Sequence, residues 1–322
     1  MGIQIGIVTR SRTWVTGALA VLFVLCWSSG FIGAKLGAAD APVTTVLMWR
    51  FVPLALALLP FLLAQVRQSA AHRRIPGLGR HVLIGILSQS VYLLTVYWAI
   101  ELGVGTGTTA LIDGVQPLVA AALVGPLLGV AVTGRQWAGL ALGLVGVVLV
   151  IWSDAASAGQ APAWAYLVPF LGMLGLVAST IVERRAPAPM PPLRALAIHC
   201  STSAVVFTGL AIATGTAVPP ASGSFWLALA WLLVFATFGG YGLYWLLVER
   251  IGVTPVNGLM FLIAPVTSVW GGVMFDEPFT PLTAVGLALA LVAALVAGMV
   301  RDGTRPPKGE RDAQPAGRRL RI

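Results

Sequence analysis

Apolar positions along this chain gather into long runs separated by short polar or basic stretches. Ten runs approach the ~20 residues needed to cross a bilayer. They fall at 14–34, 43–66, 81–100, 107–129, 136–152, 164–182, 195–215, 225–248, 255–275 and 280–300. Pro53 interrupts the second run and Ser/Thr residues interrupt the seventh, so these two are the least regular. The first run follows Arg10 and Arg12, as a signal peptide would. It is longer than a signal h-region needs, and further spans follow, so it reads as a retained helix. The pattern predicts an all-α integral membrane protein of ten transmembrane helices.

The polar intervals set the orientation. With the N-terminus in the cytoplasm, the inner segments hold Arg10, Arg12, Arg67, Arg73, Arg74, Arg80, Arg135, Arg184, Arg185, Arg194 and Arg250. The outer loops then hold only Lys35, as the positive-inside rule requires, and both termini are cytoplasmic. Trp14, Trp137, Trp152, Trp164 and Trp226 stand at predicted helix ends, where indole rings favour the membrane interface. Residues 301–322 are polar, basic and rich in Pro and Gly; they read as a disordered cytoplasmic tail.

The run pattern repeats. GLALGLV at 139–145 returns as GLALALV at 286–292, an offset of 147 residues; Tyr97-Trp98 returns as Tyr244-Trp245 at the same offset. Pro117 returns as Pro265 at 148. Each half, 14–152 and 164–300, would contain five helices. Five is odd, so the halves would enter the membrane in opposite senses, giving two inverted five-helix repeats.

Composition narrows the function classes. The 322 residues are 58% hydrophobic and 10% charged, against about a quarter charged in a soluble domain. The net charge of +9 lies in short clusters between apolar runs, without the aromatic–basic platforms of a nucleic-acid binder. Cys26 and Cys200 both lie within apolar runs, which excludes a disulfide framework and a CxxC metal site. No GxxxxGK[ST] loop, HExxH or haem-type His pair is present, so no metal or cofactor is expected and ATP is not the direct energy source.

Within the spans, Arg50 and Asp113 are the firmly charged residues. A charge at such depth is costly, so each should face the protein interior with a partner. Both lie six or seven residues inward from the outer helix ends, roughly 9–12 Å deep at ~1.5 Å per residue. Equal depth predicts an Arg50–Asp113 pair, direct or through one water. It could be a structural bridge, a substrate contact or, through Asp113, a proton-coupling site. Thr109, Asp113 and Gln116 share one helical face, beside the helix break expected at Pro117. The second half offers Asn257, Phe261 and Ala264 before the matching break at Pro265. Trp27 and Ser28 in helix 1, Gln89 and Tyr92 in helix 3, and Tyr241, Tyr244 and Trp245 in helix 8 could complete an aromatic, weakly polar cavity. Lipid contact and core packing are the ordinary roles of such aromatic residues. His199 reads as a packed, neutral side chain.

The sequence resembles the EamA-type ten-helix exporters of the drug/metabolite transporter (DMT) superfamily. The resemblance lies in CWSSGFIGAKLG at 26–37, LMWRF at 47–51, the stretch from Tyr97 to Val150, and FLIAPVTSVWGGVMFDEPFTPLTAVGLALAL at 261–291, with Glu277-Pro278 at the usual acidic position. There are two departures: Val130-Ala131 stands where the family commonly has Glu-Arg, and Asp113 where relatives usually carry an apolar or small residue. The resemblance implies a secondary transporter of a bacterial-type inner membrane, exporting small metabolites, amino acids or drug-like compounds by alternating access. Its partners would be a small-molecule substrate, protons in some members, and the lipid bilayer; a homodimer is left open. The alternatives are a non-transporting membrane sensor or assembly protein, and an intramembrane enzyme on a lipid substrate. An enzyme would need several carboxylates or His at one interface, and Asp276-Glu277 alone makes a thin case.

Overall fold

The computed structural model describes residues 2–69, 77–127, 131–158, 161–185 and 190–298. The basic tail expected at 301–322 lies outside the described residues. In chain order the helices are α1 (Gly2–Ala38), α2 (Val43–Ser69), α3 (Leu78–Gly85), α4 (Tyr92–Glu101), α5 (Thr106–Gly114), α6 (Gln116–Leu127) and α7 (Gly134–Ala158). There follow α8 (Val168–Arg184), α9 (Pro192–Ala213), α10 (Gly223–Trp231), α11 (Gly240–Ile251), α12 (Val253–Met260), α13 (Ile263–Phe275) and α14 (Pro281–Gly298). No strand occurs among the described residues. Helices are the expected solution in hydrocarbon, because they satisfy backbone N–H and C=O groups within one segment.

Among the described residues, eight helical stretches are long and apolar enough to cross a membrane: 14–38, 43–63, 78–101, 134–157, 163–184, 192–213, 223–251 and 255–275. Two of the ten runs read from the sequence are not among them. The run at 107–129 is broken at Val115 into the short helices α5 and α6, with Pro117 just inside the start of α6. The run at 280–300 contains a shorter apolar helix, 281–297.

Two crossings pass through π-helical turns. Ile86–Val91 joins α3 to α4, and Leu232–Gly239 joins α10 to α11. The matching ends of these turns lie 146 and 148 residues apart. The break between α12 and α13, at Phe261-Leu262, lies 146–147 residues beyond the break at Val115. The irregularities in the helices thus recur at the spacing of the sequence repeat.

Small residues decide how closely the helices approach. A Cβ on Gly146 would stand 2.6 Å from the Gly286 carbonyl oxygen, and one on Gly286 would stand 2.7 Å from the Gly146 carbonyl oxygen. A Cβ on Gly139 would lie 2.9 Å from the Ala293 carbonyl oxygen. Backbone therefore rests on backbone along α7 and α14, the arrangement that small residues permit between membrane helices. Because 139 meets 293 while 146 meets 286, the two helices run antiparallel. Larger side chains fill the other interfaces, as where Phe51 of α2 meets Phe207 of α9 at 5.4 Å between ring centroids.

The outer surface is apolar: Leu171, Val205, Leu227, Phe238 and Val273 are all exposed. In a soluble protein such a surface would aggregate; here it is the surface that lipid covers. Trp14, Trp137, Trp152, Trp164 and Trp226 are exposed as well.

Candidate functional site

A cavity of about 450 Å³, counting the space at its open mouth, lies among α1, α2, α4 and the α10–α11 crossing. Its walls carry Trp27 and Phe31 from α1, Arg50 from α2, Tyr92 and Tyr97 from α4, and Ala236 and Tyr241 from the second half of the chain. Each π-helical turn hands over to the helix that bears cavity aromatics: Tyr92 is the first residue of α4, and Tyr241 the second of α11. Such turns widen a helix locally and re-aim the side chains that follow.

Arg50 is buried, and neutral groups hold its charge. Its Nη1 donates to the Tyr97 hydroxyl and its Nη2 to Thr237 Oγ1 at 3.1 Å. The guanidinium also lies over the rings of Phe51 and Tyr97, at 5.7 and 5.8 Å from their centroids. Its Nε is buried without a hydrogen-bond partner. Asp113, at the C-terminal end of α5, accepts a hydrogen bond from the Tyr92 hydroxyl at 2.8 Å.

The direct Arg50–Asp113 pair expected from equal depth is not formed. Lys35–Glu277 is the ion pair among the described residues. Depth along a helix says nothing of rotation about its axis, and α4 packs against both α2 and α5. Its two phenols, Tyr97 and Tyr92, take up the two charges separately. Opposite charges are therefore kept apart at one aromatic cavity.

Of the residues proposed from the sequence, Trp27, Arg50, Tyr92 and Tyr241 line the cavity together. Trp27 meets Tyr241 edge-on at 5.5 Å and Tyr244 at 6.2 Å. Asp113 joins the group through Tyr92. The others have different surroundings. Ser28 is buried and donates to the Ile263 carbonyl at 3.4 Å, tying α1 to the start of α13 ahead of Pro265. Gln89 is buried and accepts from Ser203 of α9 at 3.3 Å. Gln116 is half-buried at the start of α6 and Asn257 is exposed on α12; neither is on the cavity wall. Trp245 is 53% exposed and packs edge-on against Tyr244, so it belongs to the outer surface rather than the cavity. His199 sits beside buried His81, with His81 Nδ1 3.4 Å from His199 Nε2.

Sequence reading missed Tyr97 and Thr237 as partners of Arg50. Tyr97 enters the sequence reading as a marker of the repeat and as the start of a resembling stretch, and nothing in the pattern singles out Thr237. It also missed a second polar cluster at the α1/α13 end of the molecule. There Glu277 accepts from the Thr106 N–H at 3.0 Å, from Thr106 Oγ1 at 2.8 Å and from Lys35 Nζ at 2.6 Å. The neighbouring Gly105 N–H donates to Asp154 at 2.9 Å. Two carboxylates thus hold the N-terminus of α5, where the helix dipole favours negative charge. Asp276, the one non-glycine with positive φ (53°) among the described residues, turns the chain out of α13 just before Glu277.

Known proteins match along most of the chain. The model of the EamA-like transporter family matches residues 15–152 and again 163–299. The chain belongs to the EamA-like transporter family. Among its relatives, the uncharacterized inner membrane transporter YedA of Escherichia coli K12 is 23% identical over 283 residues, covering 87% of this chain and 89% of its own length. A probable amino-acid metabolite efflux pump of the same strain is 22% identical, covering 87% and 93%. A probable terminal-alkyne amino-acid exporter of Streptantibioticus cattleyicolor is 25% identical, covering 93% and 97%. One protein of known crystal structure superposes with a TM-score of 0.56 at 22% identity, over 88% of this chain and 96% of its own; the two share a fold. This EamA-like chain is a multi-pass protein of the inner membrane, and a membrane transporter.

Proposed function

We propose that this chain is a secondary transporter that exports small zwitterionic metabolites of amino-acid type by alternating access. The observation that carries the reading is the aromatic cavity at which a buried guanidinium and a carboxylate are each held by a phenol and not by one another. A substrate bearing a carboxylate and an ammonium group would answer both charges. The carboxylate would reach the unpartnered Nε of Arg50, the ammonium would approach Asp113, and Trp27 and Tyr241 would flank the remainder. Charge-assisted hydrogen bonds of this kind are the strong ones in a low-dielectric site. Two of the matched relatives carry names that refer to amino-acid compounds.

The reading takes the chain to cross the membrane ten times, as two inverted five-helix repeats at 14–152 and 164–300, with both termini in the cytoplasm. The antiparallel run of α7 and α14 supports it, because these helices carry the two GLAL segments. So does the recurrence of π-helical turns and helix breaks at the repeat spacing. Contacts also favour the alternation of ends. The start of α2 meets the end of α9 where Thr45 Oγ1 donates to the Thr216 carbonyl at 2.6 Å. The Val43 N–H donates to Glu101 at the end of α4 at 3.2 Å.

The test is uptake into proteoliposomes, with and without a proton gradient. The panel contains amino acids, their methyl esters and their N-acetyl derivatives. Zwitterions should move, while the esters (ammonium only) and N-acetyl compounds (carboxylate only) should move at least about tenfold more slowly, the scale of one charged hydrogen bond. Equal rates for all three classes would overturn the zwitterion reading.

A further inference from the structure

We infer that the Lys35–Glu277–Thr106 cluster is a latch that closes the outer end of the transport path, and that no such ion pair stands at the repeat-related positions of the inner end. The inference rests on the alternating-access reading above.

Three observations place the latch. It joins the two halves of the chain, since Lys35 and Thr106 belong to the first and Glu277 to the second. It sits directly over the cavity: Phe31, which lines the cavity, lies four residues before Lys35 on the same face of α1. One helical turn, ~5.4 Å, therefore separates the ion pair from the cavity wall. It is also partly sheltered, with the Glu277 side chain 11% exposed and Lys35 32% exposed. The Lys35 ammonium lies 5.0 Å from the centroid of the Phe275 ring as well. Opening the path at this end would separate charges that have little water to replace their partners.

The repeat-related positions at the inner end cannot form the equivalent. At the repeat offset of 147, Lys35 maps to Val182 and Glu277 to Val130. A shift of one residue brings Glu183 opposite Lys35, but the partner stretch 128–133 reads Leu-Gly-Val-Ala-Val-Thr and contains no ionisable residue. With an ion pair at only one of the two repeat-related positions, the two ends should not be equally easy to open. The carrier without substrate should therefore rest closed to the outside and open to the cytoplasm, where an exporter collects its cargo.

Cysteine accessibility tests this. In a C26A/C200A background, Ala236→Cys places a thiol on the cavity wall. It is labelled with a membrane-impermeant methanethiosulfonate in right-side-out and in inverted vesicles. With the latch intact, labelling should be faster from the cytoplasmic side. Lys35→Met and Glu277→Gln should each raise labelling from outside by roughly tenfold and lower it from inside. The exchange Lys35→Glu/Glu277→Lys should return the ratio toward its starting value. A variant that merely misfolds would label faster from both sides, and that result in all three variants would overturn the latch. An unchanged outside-to-inside ratio, with the thiol still reachable from each side, would overturn the latch and leave alternating access standing. If the thiol is reached from one side only in every variant, alternating access itself fails, and the latch with it.

Discussion

Arg50 and Asp113 show how far reasoning from single residues reaches. Charge in an apolar run was enough to mark both as inward-facing, because hydrocarbon cannot solvate them. Their partners were not legible, since the side of a helix that meets a neighbour depends on packing far along the chain. Tyr97 and Thr237 come from other crossings, 47 and 187 residues away from Arg50. The separation of the charges gives definite expectations. Asp113→Asn should reduce transport of a zwitterion by about tenfold or more, whereas Asp40→Asn, in the turn after α1, should leave it near wild type; initial rates at equal expression decide. Because Arg50 and Asp113 have separate phenol partners, Asp113→Ala should not restore the stability lost in Arg50→Ala, read as the midpoint of denaturation in detergent. Recovery in the double variant would mean that the two charges pair after all. Tyr97→Phe leaves the guanidinium one acceptor short and should cost about 1–3 kcal/mol, seen as a lower midpoint of denaturation in detergent.

At the scale of the helix, hydropathy located the apolar runs well and their internal breaks poorly. Pro117 and Pro265 announce interruption, and the breaks fall within four residues of each. Neither π-helical turn contains a proline: Ile86–Val91 has neither Gly nor Pro, and Leu232–Gly239 has only its terminal glycine. GxxxG-like spacing pointed to close packing without saying which helices approach. The contact of α7 with α14 answers that, and it exposes these helices to a simple perturbation. Gly146→Val or Gly286→Val would push side chains into a facing carbonyl. Overpacking of this kind costs typically 1–3 kcal/mol. Either change should cut the yield of monodisperse protein on size exclusion, while Gly209→Val, with open space at its Cβ, should not.

For the whole molecule, three short matches that keep nearly one spacing are what suggests a repeat. The cavity was readable only in outline, because it forms where separate crossings converge. The charge bias of the loops makes a prediction at this scale. In a cysteine-free background, Ser157→Cys should label from outside the cell and a cysteine appended after Ile322 only from within. Labelling of both from one face would remove the inverted arrangement and, with it, the proposed mode of transport. The paired π-helical turns carry a further consequence. Each holds one residue more than a regular helix of the same length would need, and the surplus bulges the helix locally while its flanks stay in line. Deleting a single residue from either, Ser88 or Phe235, should restore an unbroken ladder, keep the flanking helices in line and remove the local widening beside Tyr92 or Tyr241. Such a shortened protein should be harder to melt and unable to turn over, a trade of function for regularity that the chain has declined twice, at matching places.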